Sequence, residues 1–71
     1  MKNDLSQRRN EEDLSQGELA EAVGVTRQTI NAIERNRYDP SLELALKLAS
    51  HFDCAVEDIF TLDEAEELNE A

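Results

Sequence analysis

Aromatic side chains are nearly absent from this chain of 71 residues: Tyr38, Phe52 and Phe60 are the only three, and tryptophan is missing. Folding at this length buries only about 60% of the unfolded chain's surface. There is room for one small domain, and an enclosed substrate pocket is hard to fit into it. Binding is a better expectation than catalysis, and no cofactor is expected. The single cysteine, Cys54, excludes an intrachain disulfide. No second thiol or histidine pair is spaced to bind a metal with it, so among apolar neighbours it reads as a small core hydrophobe. No apolar run is longer than Leu44-Ala45-Leu46, and the opening "MKNDLSQRR" has no apolar core. Neither a membrane span nor a signal peptide is expected, which makes the cytoplasm the default location.

Positive charge is scarce too. Seven basic residues face 17 acidic ones, giving a net charge of −10, and only Lys2 and Lys47 are lysines. The sum argues against a polyanionic partner, but its distribution argues the other way. From Ala22 to Ile33 there is no acid at all. Residues 26–38 carry Arg27, Arg35 and Arg37 against Glu34 alone, a local balance of +2 that leaves −12 for everything else.

What is present in quantity is helical signal. A first helix over "NDLSQRRNEED" turns Leu5 inward. A second starts at Ser15, three residues before Glu18 in the capping-box pattern, carries the stripe Leu19, Ala20, Val23, and stops at Gly24, which can take positive φ. Thr26 caps a third, "RQTINAIE", with Ile30 and Ile33 inward and an end near Asn36. Asp39 or Ser41 caps a fourth, whose spacing points Leu42, Ala45, Leu46, Ala49 and Phe52 inward. "VEDIF" makes a short fifth. The expected fold is all-α, with five helices and one core over residues 1–62. The acidic stretch 63–71 is expected to be a disordered, solvating tail.

Only Gly24 and Val25 separate the second helix from the cap of the third, too few residues for an antiparallel pair. The two must cross steeply, as in a helix-turn-helix, with Ala20 as the small residue at the crossing. On a wheel of about 100° per residue, Gln28, Ala32 and Arg35 then face away from the core, with Asn31 on the flank and Arg27 at the N-terminal end. Glutamine and asparagine can pair with adenine N6 and N7, arginine with guanine O6 and N7, and an alanine methyl can touch that of thymine. The acid-free window is what a helix needs in order to enter a major groove between two phosphate backbones. Gln16, at a helix start where free N–H groups favour an anion, and Asn36, Arg37 and Tyr38 beyond the third helix are candidate phosphate contacts, and Arg35 could serve either role. The alternative is an ordinary solvated helix in a small bundle.

The stretch "LSQGELAEAVGVTRQTINAIERNRYDPSLELALKLASHF" resembles the Xre family of lambda-repressor/Cro-like DNA-binding domains. Through "RQTIN", "PSL" and "EDIF" it is also similar to small stand-alone repressors of the cytolysin-operon type. The resemblance implies a five-helix fold, a homodimer and repression at an inverted repeat. It places base-reading positions on Arg27, Gln28, Asn31 and Ala32, a phosphate contact on Gln16, and a structural ion pair on Arg9 and Glu34. Some positions depart from the family pattern: Arg8 stands where leucine is common, Asp13 and Asp53 where loop glycines are usual, and Ala55 where a Ser or Thr cap is usual.

These aspartates, the few lysines and the acidic tail suggest a cytoplasm of very high salt, where the Debye length falls to about 3 Å and distant carboxylates barely repel DNA. Val56, Ile59, Phe60 and Leu62 form the expected dimer interface, with closure of the chain's own core as the alternative. Double-stranded DNA is the expected partner, and no small-molecule ligand is evident. An antitoxin or co-regulator acting through protein–protein contact is the competing functional class. His51 has no nucleophile at helical spacing beyond its neighbour Ser50, and reads as a surface residue.

Overall fold

Side-chain caps decide where the helices begin. Ser15, Thr26 and Ser41 each accept a hydrogen bond from the backbone N–H three residues on, at 3.0, 3.2 and 3.1 Å, and the Glu18 carboxylate accepts one in return from the Ser15 N–H at 2.9 Å. The computed structural model, which describes residues 1–62, accordingly contains α1 (Leu5–Glu11), α2 (Gln16–Val23), α3 (Arg27–Glu34), α4 (Leu42–His51) and α5 (Val56–Ile59). Of the two candidate caps for α4 it is Ser41 that acts. Ala55 has no acceptor to offer α5, so only the returning half of a capping box forms, Ala55 N–H to the Asp58 carboxylate at 2.9 Å. The stretch expected to be a tail, 63–71, lies outside the described residues. Among the described residues no helix is long and apolar enough to cross a membrane.

The first four helices end in one way. Asp13, Gly24, Asn36 and Asp53 take φ of 56°, 77°, 59° and 55°. Each residue after them turns its N–H back onto the helix: Leu14 to the Arg9 carbonyl, Val25 to Ala20, Arg37 to Ala32 and Cys54 to Ala49, at 2.9–3.1 Å. This is the Schellman closure. Three of its four left-handed positions hold Asp or Asn, whose short polar side chains tolerate them at some cost.

Each helix contributes to one core. Leu5, Leu19, Ile30, Ile33, Leu48 and Ile59 are its fully buried large side chains, joined by Ala20, Val23, Leu44, Ala45, Ala49 and Phe60. Truncating one of the leucines to alanine costs about 2–5 kcal/mol, a large share of the 5–15 kcal/mol typical of a whole domain. Cys54 packs half-buried against this cluster.

Two expectations need correcting here. On α4 the residues Leu42 and Leu46 are 73% and 54% exposed, and Leu44 and Leu48 are buried instead. Leucine occupies every even position from 42 to 48, with alanine at 45 and 49, so two stripes overlap and share the alanines. A wheel cannot choose between them, but packing against α2 and α5 does. Ile59 and Phe60, expected at an intermolecular face, are 1% and 7% exposed inside the chain's own core.

The reason lies in an element too short for residue alternation to reveal. β1 (Lys2–Asn3) pairs antiparallel with β2 (Phe60–Thr61), Lys2 opposite Thr61 and Asn3 opposite Phe60. The Asp4 N–H extends the pairing to the Ile59 carbonyl at 3.1 Å, which draws the end of α5 under the N-terminus. Arg8, at a position where the resemblance has leucine, makes polar contacts instead. Its Nε binds Asp4 at 3.0 Å and its Nη2 the Asp58 carbonyl at 3.2 Å, tying α1 to α5.

Candidate nucleic-acid interface

The crossing of α2 and α3 follows from the turn between them. Gly24 takes the left-handed conformation, Val25 bonds back to Ala20, and Thr26 starts the next helix at once. Ala20 is buried there, and Ile30 and Ile33 anchor α3 to the core. With that face fixed, Arg27, Gln28 and Arg35 are exposed and Asn31 and Ala32 half-buried on the flank. Thr29 is half-buried as well, its hydroxyl 3.1 Å from that of Thr26. Asn36, Arg37 and Tyr38 continue the exposed surface past the end of α3.

Charge on this surface is set by an ion pair beneath it. Arg9 of α1 grips Glu34 with two nitrogens, Nε at 2.7 Å and Nη2 at 3.2 Å, and its third nitrogen donates to the Leu14 carbonyl at 2.7 Å. The hydrogen bond to Glu34 raises the Arg9 pKa above its ordinary value, outweighing the opposing desolvation. The single carboxylate among residues 26–38 is therefore neutralised from below, and the exposed charges of that stretch are Arg27, Arg35 and Arg37 alone.

The same carboxylate orders the flank. Gln16 Nε2 donates to Glu34 Oε1 at 3.0 Å, and Gln16 Oε1 lies 3.5 Å from Asn31 Nδ2. A carboxylate only accepts, so Gln16 must present its nitrogen to Glu34 and its oxygen to Asn31. One N–H of Gln16, one N–H of Asn31 and the oxygen of Asn31 are left over from this chain of bonds. Gln16, half-buried, is thus a bridge between α2 and α3 as well as a surface group.

One residue of this region has no local signal in the sequence. Asn3 of β1 donates to the Ile33 carbonyl at 2.9 Å and to the Asn36 side-chain oxygen at 3.0 Å. It lies 33 positions from Asn36, and only the closure of β1 on β2 brings it there.

His51 approaches Glu12 at 3.6 Å and lines an open concavity with Glu21, Gly24, Lys47 and Ser50. None of the residues expected to face DNA lines it.

The Helix-turn-helix family model matches residues 5–59. An HTH-type transcriptional regulator of Methanocaldococcus jannaschii is 50% identical over 66 residues, covering 93% of this chain and 100% of its own. The HTH-type regulator YgzD of Bacillus subtilis is 50% identical over 64 residues, covering 90% and 97%. Among solved structures, the restriction-modification controller protein C.AhdI of Aeromonas hydrophila superposes with a TM-score of 0.72 at 34% identity, covering 79% of this chain and 85% of that one. These relatives are regulators and not enzymes. The chain belongs to the lambda-repressor-like (Xre) helix-turn-helix family of DNA-binding transcription regulators.

Proposed function

We propose that the chain represses transcription by occupying an inverted-repeat operator as a homodimer, with α3 in the major groove of each half-site. The observation that carries this reading is the exposed, acid-free face of α3, whose one neighbouring carboxylate is neutralised by Arg9. Arg27, Gln28, Asn31 and Ala32 read base edges. Gln16, Arg35, Asn36, Arg37 and Tyr38 hold the flanking phosphates and set the register. One such helix makes too few contacts for tight specific binding, and a two-fold partner places a second about 34 Å away on the next turn of the duplex.

The dimer must be built from apolar side chains that a single chain leaves accessible. Val56 and Leu62, half-buried and 52% exposed, remain from the expected interface, and among the described residues Leu42 and Leu46 on α4 are further exposed leucines. Selection of bound fragments from random duplexes is expected to return two half-sites about one helical turn apart. Enrichment of a lone half-site, or a monomer in sedimentation at operator-binding concentrations, overturns the homodimer. Tight capture of another protein, unaffected by changes at Arg27 and Gln28, favours the antitoxin or co-regulator class.

Adaptation to a salt-rich cytoplasm accounts for the acidic surface. Asp13 and Asp53 in left-handed turns, with Glu11, Glu12, Glu21 and Glu57, are all exposed, and high salt would screen their repulsion of DNA. A chain that is equally stable in dilute buffer and in molar potassium chloride contradicts this.

A further inference from the structure

We propose that Asn3, in β1, is a positioning residue that fixes which end of the Asn36 side-chain amide faces the DNA backbone. The inference rests on the reading above, in which the surface beyond α3 meets phosphate.

Asparagine amides are ambiguous until a partner of fixed polarity orients them, and Asn3 has two such partners. The Leu5 backbone N–H, which can only donate, binds Asn3 Oδ1 at 3.1 Å. The Ile33 carbonyl, which can only accept, binds Asn3 Nδ2 at 2.9 Å. The Asn3 amide therefore has one orientation. Its second N–H points at the Asn36 side chain at 3.0 Å, so the atom it meets there must be the Asn36 oxygen. Turning the Asn36 amide over would set donor against donor.

The consequence lies on the outer side. With its oxygen held by Asn3, the NH2 group is the end of the Asn36 amide left for an outside partner, and Asn36 and its chain neighbours Arg35 and Arg37 are all exposed. Phosphate oxygens accept and do not donate, so an outward NH2 is complementary to them and an outward carbonyl is repelled. The backbone limits the freedom of this group as well: Asn36 sits in the left-handed turn at φ 59°, its own N–H bonded to the Ile33 carbonyl at 3.0 Å. Asn3 is in turn held by its pairing with Phe60. The β1–β2 ladder thereby sets the polarity of one phosphate contact more than 30 residues away along the chain.

A double-mutant cycle on the full chain tests this, using the selected operator and a scrambled duplex of equal length. Asn36→Ala and Asn3→Ala are each expected to weaken binding about three- to tenfold, the scale of one hydrogen bond, and equally on both duplexes, because phosphate contacts carry no sequence information. The double variant should bind no more weakly than Asn36→Ala alone. The salt dependence should stay unchanged, since a neutral donor displaces no counterion, whereas Arg37→Ala should lower the slope by about one. A purely structural Asn3 would shift the melting temperature without this coupling. Additive losses, or no loss for Asn3→Ala in a folded chain, overturn the inference alone. A wild-type chain that binds neither duplex overturns the reading beneath it, and the inference with it. Should Asn3→Ala fail to fold, the wild-type side-chain amide resonance decides: Asn36 NH2 must shift on titration with duplex, and an unmoved resonance refutes the assignment.

Discussion

Arg9 of α1 and Glu34 of α3 form a two-pronged ion pair whose side chains are 13% and 7% exposed, and Glu34 passes the contact on to Gln16 of α2. Three helices thus meet at one carboxylate beside the exposed face of α3. Glu34→Ala strands a nearly buried guanidinium and should cost roughly 3 kcal/mol of stability. Replacing both partners by methionine should recover much of that, because no buried charge is then left unpaired. Chemical denaturation of the two variants checks the stability. DNA affinity should stay low in the double variant even when the fold recovers, because Gln16 has lost the acceptor that orients it.

Arg27→Ala and Gln28→Ala separate binding from folding. Both side chains are exposed and make no hydrogen bond to the core, so melting should change by less than about 0.5 kcal/mol. A bidentate base contact is worth roughly 1–3 kcal/mol of discrimination, which predicts about ten- to hundredfold weaker operator binding. Fluorescence anisotropy on the selected operator and a mismatched one measures it. A loss shared equally by both duplexes would move these side chains from base reading to phosphate contact.

The left-handed helix ends allow a stability test with opposite signs. Asp13→Gly and Asp53→Gly should each stabilise by about 1 kcal/mol, raising Tm by roughly 4–8 °C for a domain of this size. Glycine removes the strain at φ 56° and 55°, and it also takes a carboxylate away from the negative end of the helix dipole. Gly24→Ala should destabilise by a similar amount. Beyond Gly24 and its two chain neighbours no atom lies within 4 Å of where its Cβ would sit, so the obstacle is the φ of 77° and not a clash. Thermal melts of the three variants decide.

Glu18 supplies the pH dependence. Its carboxylate accepts from the Ser15 backbone N–H first and the Ser15 side chain second, which holds its pKa below the ordinary 4.5. Folding therefore binds the charged form better. The stabilisation is complete above pH 4.5 and is lost as pH falls through the depressed value. Glu18→Gln keeps an acceptor for the capping box but does not titrate. The Tm gap between wild type and this variant should be present at neutral pH and close on acidification. A gap constant across that range counts against the assignment.

Particular residues separate what could be read from the chain from what could not. The caps at Ser15 and Thr26, the stop at Gly24 and the anchors Ile30 and Ile33 are local patterns, and each sits as its pattern indicates. The exposure of Arg27, Gln28 and Arg35 follows from those anchors by helical rotation alone. Composition and periodicity thus determined the helix count, the steep crossing and the outward face of α3, because each depends on neighbours within about one turn.

Tertiary structure decided the remainder. It chose Leu44 and Leu48 over Leu42 and Leu46, since two stripes of equal spacing differ only in what packs on them. It drew Ile59 and Phe60 into the chain's own core by pairing β1 with β2, a contact between residues about 57 positions apart. It placed Asn3 beside Asn36, and joined Gln16 to Asn31 behind the flank of α3. Contacts of such long sequence separation leave no periodic trace, because their geometry exists only once the helices have closed on one another.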